Sequence, residues 1–292
     1  MLPLESVPNF SEGRDAAVIA AIGDAMASRA NLLDVHSDRD HHRSVYTLVG
    51  SEQELQDALV AGVRAAKERI DLRRHEGVHP RVGAADVVPI VPIQPGDMGR
   101  AKRAARLLAK RLTAELGLTT FLYGEVGEGR GPAFFRRGGT DELQRRLEAR
   151  EVVPAYGPPW LDPSAGAVLV GARRPLIAFN VNVRGSGEAA REIAAVVRES
   201  GGGFPGVRAL GLDLPAAGHA QVSMNVEDWE AARLHEIVLR IEAEAAARGA
   251  EVLGSELVGL MPAGAAAQAA GATLRLEGFD VSRVLELRLL DR

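Results

Sequence analysis

Cysteine is absent from this 292-residue chain, which excludes disulfide bridges, thiolate metal sites and a cysteine nucleophile. Aromatic residues make up only 4% of it, and no apolar run approaches the ~20 residues that a membrane-spanning helix needs. The formal net charge is -4 and no long run carries one sign, so neither nucleic acid nor a membrane is an expected partner. A chain without cysteine fits the cytoplasm, where we expect this protein. With 46% apolar residues, the chain can bury a large core.

The order of strand and helix patterns predicts two copies of one α+β unit. In the first half, apolar periodicity predicts four strands and two helices, over residues 4–7, 31–35, 44–49 and 87–91 and over residues 15–27 and 51–70. The second half repeats the order strand, helix, strand, strand, helix, strand. We therefore expect two tandem ferredoxin-like (βαββαβ) subdomains with a ligand cleft or tunnel between their sheets. The Pro- and Gly-rich join places the subdomains at residues 1–166 and 167–292, and residues 284–290 predict a final strand.

The segment RHEGVHPRVGAAD, residues 74–86, carries two imidazoles, two guanidiniums and carboxylates between Gly and Pro residues. An apolar run that predicts a strand follows at once. Titratable groups on a loop beside a rigid strand are typical of a catalytic site. His75 and His79 have the spacing of a metal pair on a helix, but Gly77 and Pro80 argue against a helix there.

A second polar segment, residues 34–43, contains three His and three Asp between two predicted strands. Imidazole and carboxylate groups at this density can bind Zn²⁺ or Mn²⁺. A charged hairpin loop that handles anions explains the same composition.

Polar side chains also recur where they could recognise a ligand. Asn9 lies between the first strand and the first helix, where a helix-capping turn is the alternative. Asn180 and Asn182 share one face of a predicted strand, as do the polar residues of the segment QVSMN at residues 221–225. Such a face is either an ordinary solvated surface or a wall of amides that binds a heterocycle edge or a carboxylate.

The motifs taken together resemble the formiminotransferase family, in the same order and over nearly the whole chain. The similar segments are VPNFSEG (7–13), RSVYTLVG (43–50), HEGVHPRVGAADVVPIVP (75–92), FLYGE (121–125), VGARRPLIAFNVNV (170–183), AQVSMN (220–225) and GSELVGLMP (254–262). The resemblance implies two ferredoxin-like subdomains, tetrahydrofolate as co-substrate, a glutamate derivative as the other substrate and a homodimer. It also implies a role in histidine degradation and one-carbon metabolism, with no metal expected.

The resemblance also implies site residues. His79, which precedes Pro-Arg in the family motif, would be the catalytic acid and base. Because a guanidinium binds a carboxylate through two parallel donors, Arg43, Arg81 or Arg173 would hold glutamate carboxylates, and the choice among them stays open. His36 or Asp38 would orient the amine, although animal members of the family have an acidic residue where this chain has His36. The stretch that contacts folate in the family matches Gly157, Pro158, Pro159, Trp160, Leu161, Asp162, Pro163, Ser164, Ala165 and Gly166.

The implied reaction moves a formimidoyl group between N-formimidoyl-L-glutamate and N5 of tetrahydrofolate. A histidine that titrates near neutral pH can take a proton from one nitrogen and give it to the other. Three alternatives stay open. They are an enzyme of 5-formyltetrahydrofolate metabolism from the same family, a metal-dependent hydrolase of formimidoyl- or formyl-glutamate built on residues 36–42, and a folate-binding protein without catalysis.

Overall fold

The computed structural model describes residues 2–285, which form two compact units that divide between Arg174 and Pro175. Each unit contains one β-sheet with helices packed on it, so the α+β class is confirmed. Within the described residues, no helix is long and apolar enough to cross a membrane. Of the predicted final strand at residues 284–290, residues 286–290 lie outside the described part of the chain.

The first unit contains seven strands and five α-helices within its described residues. They are β1 (Leu4–Ser6), β2 (Asn9–Phe10), α1 (Ala16–Ala27), β3 (Asn31–Asp38), β4 (Arg43–Gly50), α2 (Glu52–Arg69), β5 (Ala85–Pro92), α3 (Met98–Leu116), β6 (Thr119–Gly124), α4 (Pro132–Arg136), α5 (Gly139–Glu148) and β7 (Ala167–Ala172), with 3-10 turns at Leu72–Arg74 and Pro95–Asp97.

The sheet of the first unit runs β3, β4, then β1 and β2, then β5, β7 and β6. β1 and β2 together occupy one strand position in the sheet, because both pair with β4 on one side and with β5 on the other. The pairs among β1 to β5 are antiparallel, and this order is compatible with the ferredoxin-like arrangement. β7 and β6 extend the sheet in parallel beyond β5.

Side-chain caps mark the starts of α1 and α2 in the first unit. Asp15 accepts hydrogen bonds from the backbone N–H groups of Ala17 and Val18 at the start of α1. Ser51 and Glu54 form the reciprocal capping box that the sequence pattern predicts at the start of α2. Helices α1, α2 and α3 bury one face of the sheet, while α4 and α5 pack on part of the other face.

The unit boundary lies beyond the position that the sequence indicated. The structure places the division after Arg174 rather than after Gly166, because Ala167–Ala172 forms a completely buried strand between β5 and β6. Its sequence AVLVGA is typical of a parallel strand that is buried on both faces. The preceding Pro- and Gly-rich loop is therefore a connection inside the first unit.

The second unit contains four strands and three α-helices within its described residues. They are β8 (Ile177–Arg184), α6 (Gly187–Val197), β9 (Val207–Leu214), β10 (His219–Val226), α7 (Leu234–Ala247), β11 (Glu251–Val258) and α8 (Ala263–Thr273), with 3-10 turns at Glu199–Gly201 and Val281–Arg283. The antiparallel sheet has the order β11-β8-β10-β9, which is also compatible with a ferredoxin-like unit. α6 and α7 pack on one of its faces.

Candidate active site

The loop that carries the His-Pro-Arg motif docks on the turn between β3 and β4. The backbone N–H of Val78 donates to the carbonyl of Asp40 at 3.2 Å. The rings of His75 and His42 stack with centroids 3.9 Å apart. Glycine is needed at position 77, because a Cβ atom there would lie 2.8 Å from Cβ of His42. Two segments that are distant in sequence are therefore held together at one edge of the first unit.

Arg43 contacts two of the other predicted site residues, Asn9 and His79, and a buried carboxylate, Asp86. Its Nε donates to Oδ1 of Asn9 at 2.8 Å, and its Nη1 lies 2.6 Å from Nδ1 of His79. Its Nη2 forms an ion pair of 3.3 Å with Oδ2 of Asp86. Only 12% of the Arg43 side chain is exposed, and each nitrogen of its guanidinium has a partner within the protein.

Asp86 is the buried carboxylate that holds this cluster. Only 1% of its side chain is exposed, and its Oδ2 lies 2.5 Å from Nη2 of Arg136, a residue of α4. Its Oδ1 accepts a hydrogen bond from the backbone N–H of Val82 at 2.9 Å. Burial raises the pKa of Asp86, but Arg136 and Arg43 outweigh that effect and hold the pKa below its ordinary value. Burial also lowers the pKa of Arg43 to about 9, with the like charge of Arg136 acting in the same direction.

His79 is partly buried and neutral in this environment. Its burial and the positive charges of Arg43 and Arg136 hold its pKa well below the ordinary value. Besides Arg43, its Nδ1 also faces the carbonyl oxygen of Pro80 at 2.8 Å. One nitrogen cannot accept from the guanidinium and donate to the carbonyl at the same time. The geometry therefore supports two tautomers of His79 that differ in which ring nitrogen carries the proton.

Arg81 stabilises the loop around His79. Its Nη2 donates to the carbonyls of Gly77 at 2.9 Å and His79 at 2.6 Å, and its Nη1 contacts Nδ1 of His75. Burial and the charge of Arg81 lower the pKa of His75 to about 4. Arg81 therefore has its donors directed at the protein's own loop.

Two of the three histidines of residues 34–43, His41 and His42, each pair with a different carboxylate. Nδ1 of His41 lies 3.1 Å from Oδ1 of Asp38, and Nε2 of His42 lies 3.1 Å from Oε1 of Glu12. Within residues 2–285, no group of three or more His, Asp or Glu side chains is arranged to hold a metal ion.

The polar segment is part strand and only part loop, in contrast to the expected hairpin loop. β3 continues to Asp38, so His36 and Asp38 are strand residues. His36 lies opposite Val45 of β4, and Val45 lies opposite Asn9 of β2. Paired residues project from the same face of a sheet, so His36 and Asn9 share the face that carries Arg43.

Comparison with known proteins identifies the family. Residues 3–173 match the family described as the formiminotransferase domain, N-terminal subdomain, and residues 178–282 match the formiminotransferase domain. The chain belongs to the formiminotransferase family. It is 40% identical over 294 residues to the glutamate formimidoyltransferase of Streptococcus pyogenes serotype M1, and the match covers 98% of each chain. The resemblance drawn from the sequence motifs is therefore confirmed.

Two further relatives from this family have similar identities. The glutamate formimidoyltransferase of Thermoplasma acidophilum is 38% identical, and the match covers 98% of this chain and 97% of that protein. The formimidoyltransferase-cyclodeaminase of Sus scrofa is 41% identical over 271 residues. That match covers 89% of this chain but only 50% of the pig protein.

The stretch that the formiminotransferase resemblance assigned to folate is a tightly bonded loop of the first unit. Oγ1 of Thr119 donates to the carbonyls of Pro158 at 3.0 Å and Trp160 at 2.6 Å. The carboxylate of Asp162 accepts from the backbone N–H of Ser164 and Ala165, both at 2.9 Å. Several residues of the stretch are exposed, namely Gly157, Pro159, Trp160 and Pro163, and Leu161, Ala165 and Gly166 are buried. The loop thus presents an aromatic side chain, Trp160, that is 58% exposed.

Asn180 and Asn182 lie in a polar network of the second unit. Nδ2 of Asn180 donates to Oε2 of Glu256 at 3.0 Å, and Nε2 of Gln221 donates to Oδ1 of Asn182 at 2.9 Å. Gln221 pairs with Asn182 across β8 and β10, and Glu256 pairs with Asn180 across β8 and β11. These amides therefore hydrogen-bond to one another and to the carboxylate of Glu256.

Two members of the Arg43 cluster were not among the candidate residues from the sequence. Asp86 had a usable signal, since a carboxylate at the start of an apolar strand needs a partner when it is buried. Arg136 had no such signal, because it lies 50 residues beyond Asp86 in a chain that is rich in arginine.

Proposed function

We propose that this chain transfers a formimidoyl group between N-formimidoyl-L-glutamate and N5 of tetrahydrofolate. The observation that carries the proposal is the match to two curated glutamate formimidoyltransferases over 98% of the chain, at 40% and 38% identity. Tetrahydrofolate is then a co-substrate, and the reaction belongs to one-carbon metabolism and histidine degradation. A homodimer is the proposed assembly, which light scattering of the purified protein would test.

The chemistry requires one proton to change position. The attacking nitrogen adds to the amidine carbon and forms a tetrahedral intermediate. That nitrogen must lose a proton, and the departing nitrogen must gain one before the carbon–nitrogen bond breaks. A positioned imidazole can perform both transfers and typically contributes ~10²–10⁴-fold in rate. Alignment of the two substrates supplies a further large part of the rate.

His79 is our candidate for this imidazole, and its two contacts through Nδ1 define its two roles. When Arg43 donates to Nδ1, the proton of the neutral ring is on Nε2, which can only donate. When Nδ1 instead donates to the carbonyl of Pro80, Nε2 is unprotonated and can accept a proton. We propose that the second tautomer starts the reaction and that Nε2 carries the proton from one nitrogen to the other.

The charges around His79 explain how the substrate would activate it. Burial and the charges of Arg43 and Arg136 hold the pKa of His79 well below the ordinary value, which makes it a weak base. A substrate that carries carboxylates brings negative charge toward these guanidiniums. Such charge raises the pKa of a neighbouring histidine, and proton transfer is most effective when that pKa is near the working pH.

The remaining site residues are proposed by their position and their chemistry. Trp160 is an exposed aromatic side chain on which a flat heterocycle can stack. Asn9 and His36 share the sheet face of Arg43 and offer polar groups to a substrate. Asn180 and Asn182 offer amides from the second unit, beside Glu256.

The test is a direct assay of the purified protein after treatment with a chelator. The protein is incubated with tetrahydrofolate and N-formimidoyl-L-glutamate, and formation of 5-formimidoyltetrahydrofolate is followed by absorbance. Turnover that depends on both substrates supports the proposal. Turnover that disappears with the chelator and does not need tetrahydrofolate would instead identify a metal-dependent hydrolase. Binding of tetrahydrofolate without transfer from any formimidoyl donor would identify a non-catalytic folate-binding protein.

A further inference from the structure

Arg173 lies directly after β7 and is half-buried, and no carboxylate of residues 2–285 forms an ion pair with it. Its Nη1 donates to the backbone carbonyl of Arg174 at 3.0 Å. Across residues 2–285, no Asp or Glu oxygen lies within 4.0 Å of its guanidinium nitrogens. Arg43 and Arg136 differ in this respect, because both form ion pairs with Asp86.

The other two arginines that the sequence offered for carboxylate binding are already engaged. Arg43 is held by Asn9, His79 and Asp86, and Arg81 directs its donors at the carbonyls of its own loop. To bind a substrate carboxylate, either residue would have to give up contacts that hold His79 in place. Arg173, by contrast, contacts the backbone carbonyl of Arg174 and the phenol of Tyr123, and neither contact holds His79.

Tyr123 and Glu5 lie on the same sheet face as Arg173. Tyr123 of β6 pairs with Gly171 of β7, two residues before Arg173, and residues two apart on a strand share a face. The Tyr123 ring lies directly over Gly171, where an added Cβ atom would be 2.5 Å from it. On β1, Leu4 belongs to the core on one face of the sheet, so the side chain of its neighbour Glu5 projects from the other face. Tyr123 packs on that other face too.

The electrostatics agree with this placement. Burial raises the pKa of Tyr123, and Arg173 is close enough to oppose that rise through its charge and a hydrogen bond to the phenol oxygen. Burial also raises the pKa of Glu5, again opposed by the charge of Arg173. The Arg173 guanidinium therefore has a buried phenol beside it and a carboxyl group within its field, but neither one neutralises it as a salt bridge.

We propose that Arg173, together with the hydroxyl of Tyr123, binds a glutamate carboxylate of a substrate. A guanidinium offers paired N–H donors that fit the two oxygens of a carboxylate, and the phenol adds a third donor. This inference rests on the proposed function, in which both substrates carry glutamate. The carboxylate can come from N-formimidoyl-L-glutamate or from the glutamyl tail of tetrahydrofolate, and the same chemistry serves either source.

The experiment compares Arg173→Gln with Arg174→Gln, which removes the same charge one residue further on at an exposed position. KM is measured for each substrate in turn, and circular dichroism checks that each variant folds. In Arg173→Gln the substrate loses a hydrogen bond to a charged group, so we expect the KM of that substrate to rise about 10- to 100-fold. The Arg174→Gln variant should stay within about 2-fold of the wild type. Tyr123→Phe keeps the ring over Gly171 and should raise the same KM by several-fold.

Direct binding separates the two sources and does not depend on turnover. Equilibrium dialysis is performed with N-formimidoyl-L-glutamate and with p-aminobenzoyl-L-glutamate, which carries the folate tail without its pteridine. Weaker binding of one of the two by Arg173→Gln identifies the source and supports the inference. If Arg173→Gln folds and binds both compounds as the wild type does, the inference is wrong even if the protein is an active transferase. If the wild type transfers no formimidoyl group but binds one of the compounds, and Arg173→Gln binds that compound more weakly, the proposed function is wrong and the carboxylate site stands.

Discussion

Replacing Asp86 with Asn should destabilise the first unit strongly while preserving the shape of the side chain. The amide can still accept from the backbone N–H of Val82, so the change mainly removes the negative charge. Arg43 and Arg136 would then face each other without a counter-charge, although only 12% and 15% of their side chains are exposed. The variant therefore measures how far this one carboxylate holds the cluster together.

The expected size follows from the burial of the three groups. Breaking a buried ion pair by removing one partner typically costs about 3–5 kcal/mol, because the remaining charge is left uncompensated. Both guanidiniums retain some contact with water, so we expect the lower end, about 3 kcal/mol, for Asp86→Asn. The matched control is Asp57→Asn, whose ion pair with Arg111 has side chains that are 33% and 25% exposed. Such a surface pair contributes about 0–1 kcal/mol.

The assay is urea unfolding of the wild type and both variants, followed by far-ultraviolet circular dichroism at neutral pH. Asp86→Asn should lower the free energy of unfolding by at least about 2 kcal/mol more than Asp57→Asn does. It should also reduce transfer activity, because Arg43 contacts His79 directly. If the two variants have the same stability, Asp86 does not hold the two guanidiniums and our description of the cluster is incorrect.

Two further predictions concern His75, in the loop around His79, and Gly13, which packs against the backbone of Asp38 and Arg43. The pKa of His75 is about 4 in the folded chain, below its ordinary 6.5. Between these two values the unfolded chain binds a proton that the folded chain does not, so stability should fall as the pH falls from about 6.5 to about 4. His75→Gln should remove that part of the pH dependence of unfolding, and Arg81→Gln should raise the pKa of His75 in an NMR titration; a pKa near 6.5 in the wild type would contradict this. Gly13→Ala should cost about 1–3 kcal/mol, because its Cβ would lie 2.0 Å from the carbonyl oxygen of Asp38, whereas Gly96→Ala has nothing within 4 Å and should change stability little. Equal thermal midpoints for the two glycine variants would refute the close approach.

The sequence was sufficient for features that depend on local chemistry or on a contiguous motif. The capping box at Ser51 and the strand–helix order of both units depend on neighbouring residues, and both are present in the structure. The His-Pro-Arg motif directed attention to His79, and the structure places Arg43 2.6 Å from Nδ1 of His79 and 2.8 Å from Oδ1 of Asn9.

Features that depend on distant contacts could not be predicted in the same way. Arg136 is separated from Asp86 by 50 residues, and only the packing of α4 brings its side chain to the carboxylate. β7 follows a Pro- and Gly-rich loop that indicated a join between subdomains, while its position between β5 and β6 is a property of the whole sheet. That no carboxylate among residues 2–285 pairs with Arg173 also becomes visible only when the surrounding side chains are in place.

The central claim is that His79 carries the proton during formimidoyl transfer, and one comparison tests it most directly. Transfer between N-formimidoyl-L-glutamate and tetrahydrofolate is measured for the wild type and for His79→Ala, together with tetrahydrofolate binding and circular dichroism. We predict that His79→Ala folds and binds tetrahydrofolate as the wild type does, while kcat falls by ~10²–10⁴-fold. A kcat within a few-fold of the wild-type value, with folding and binding intact, would contradict the account.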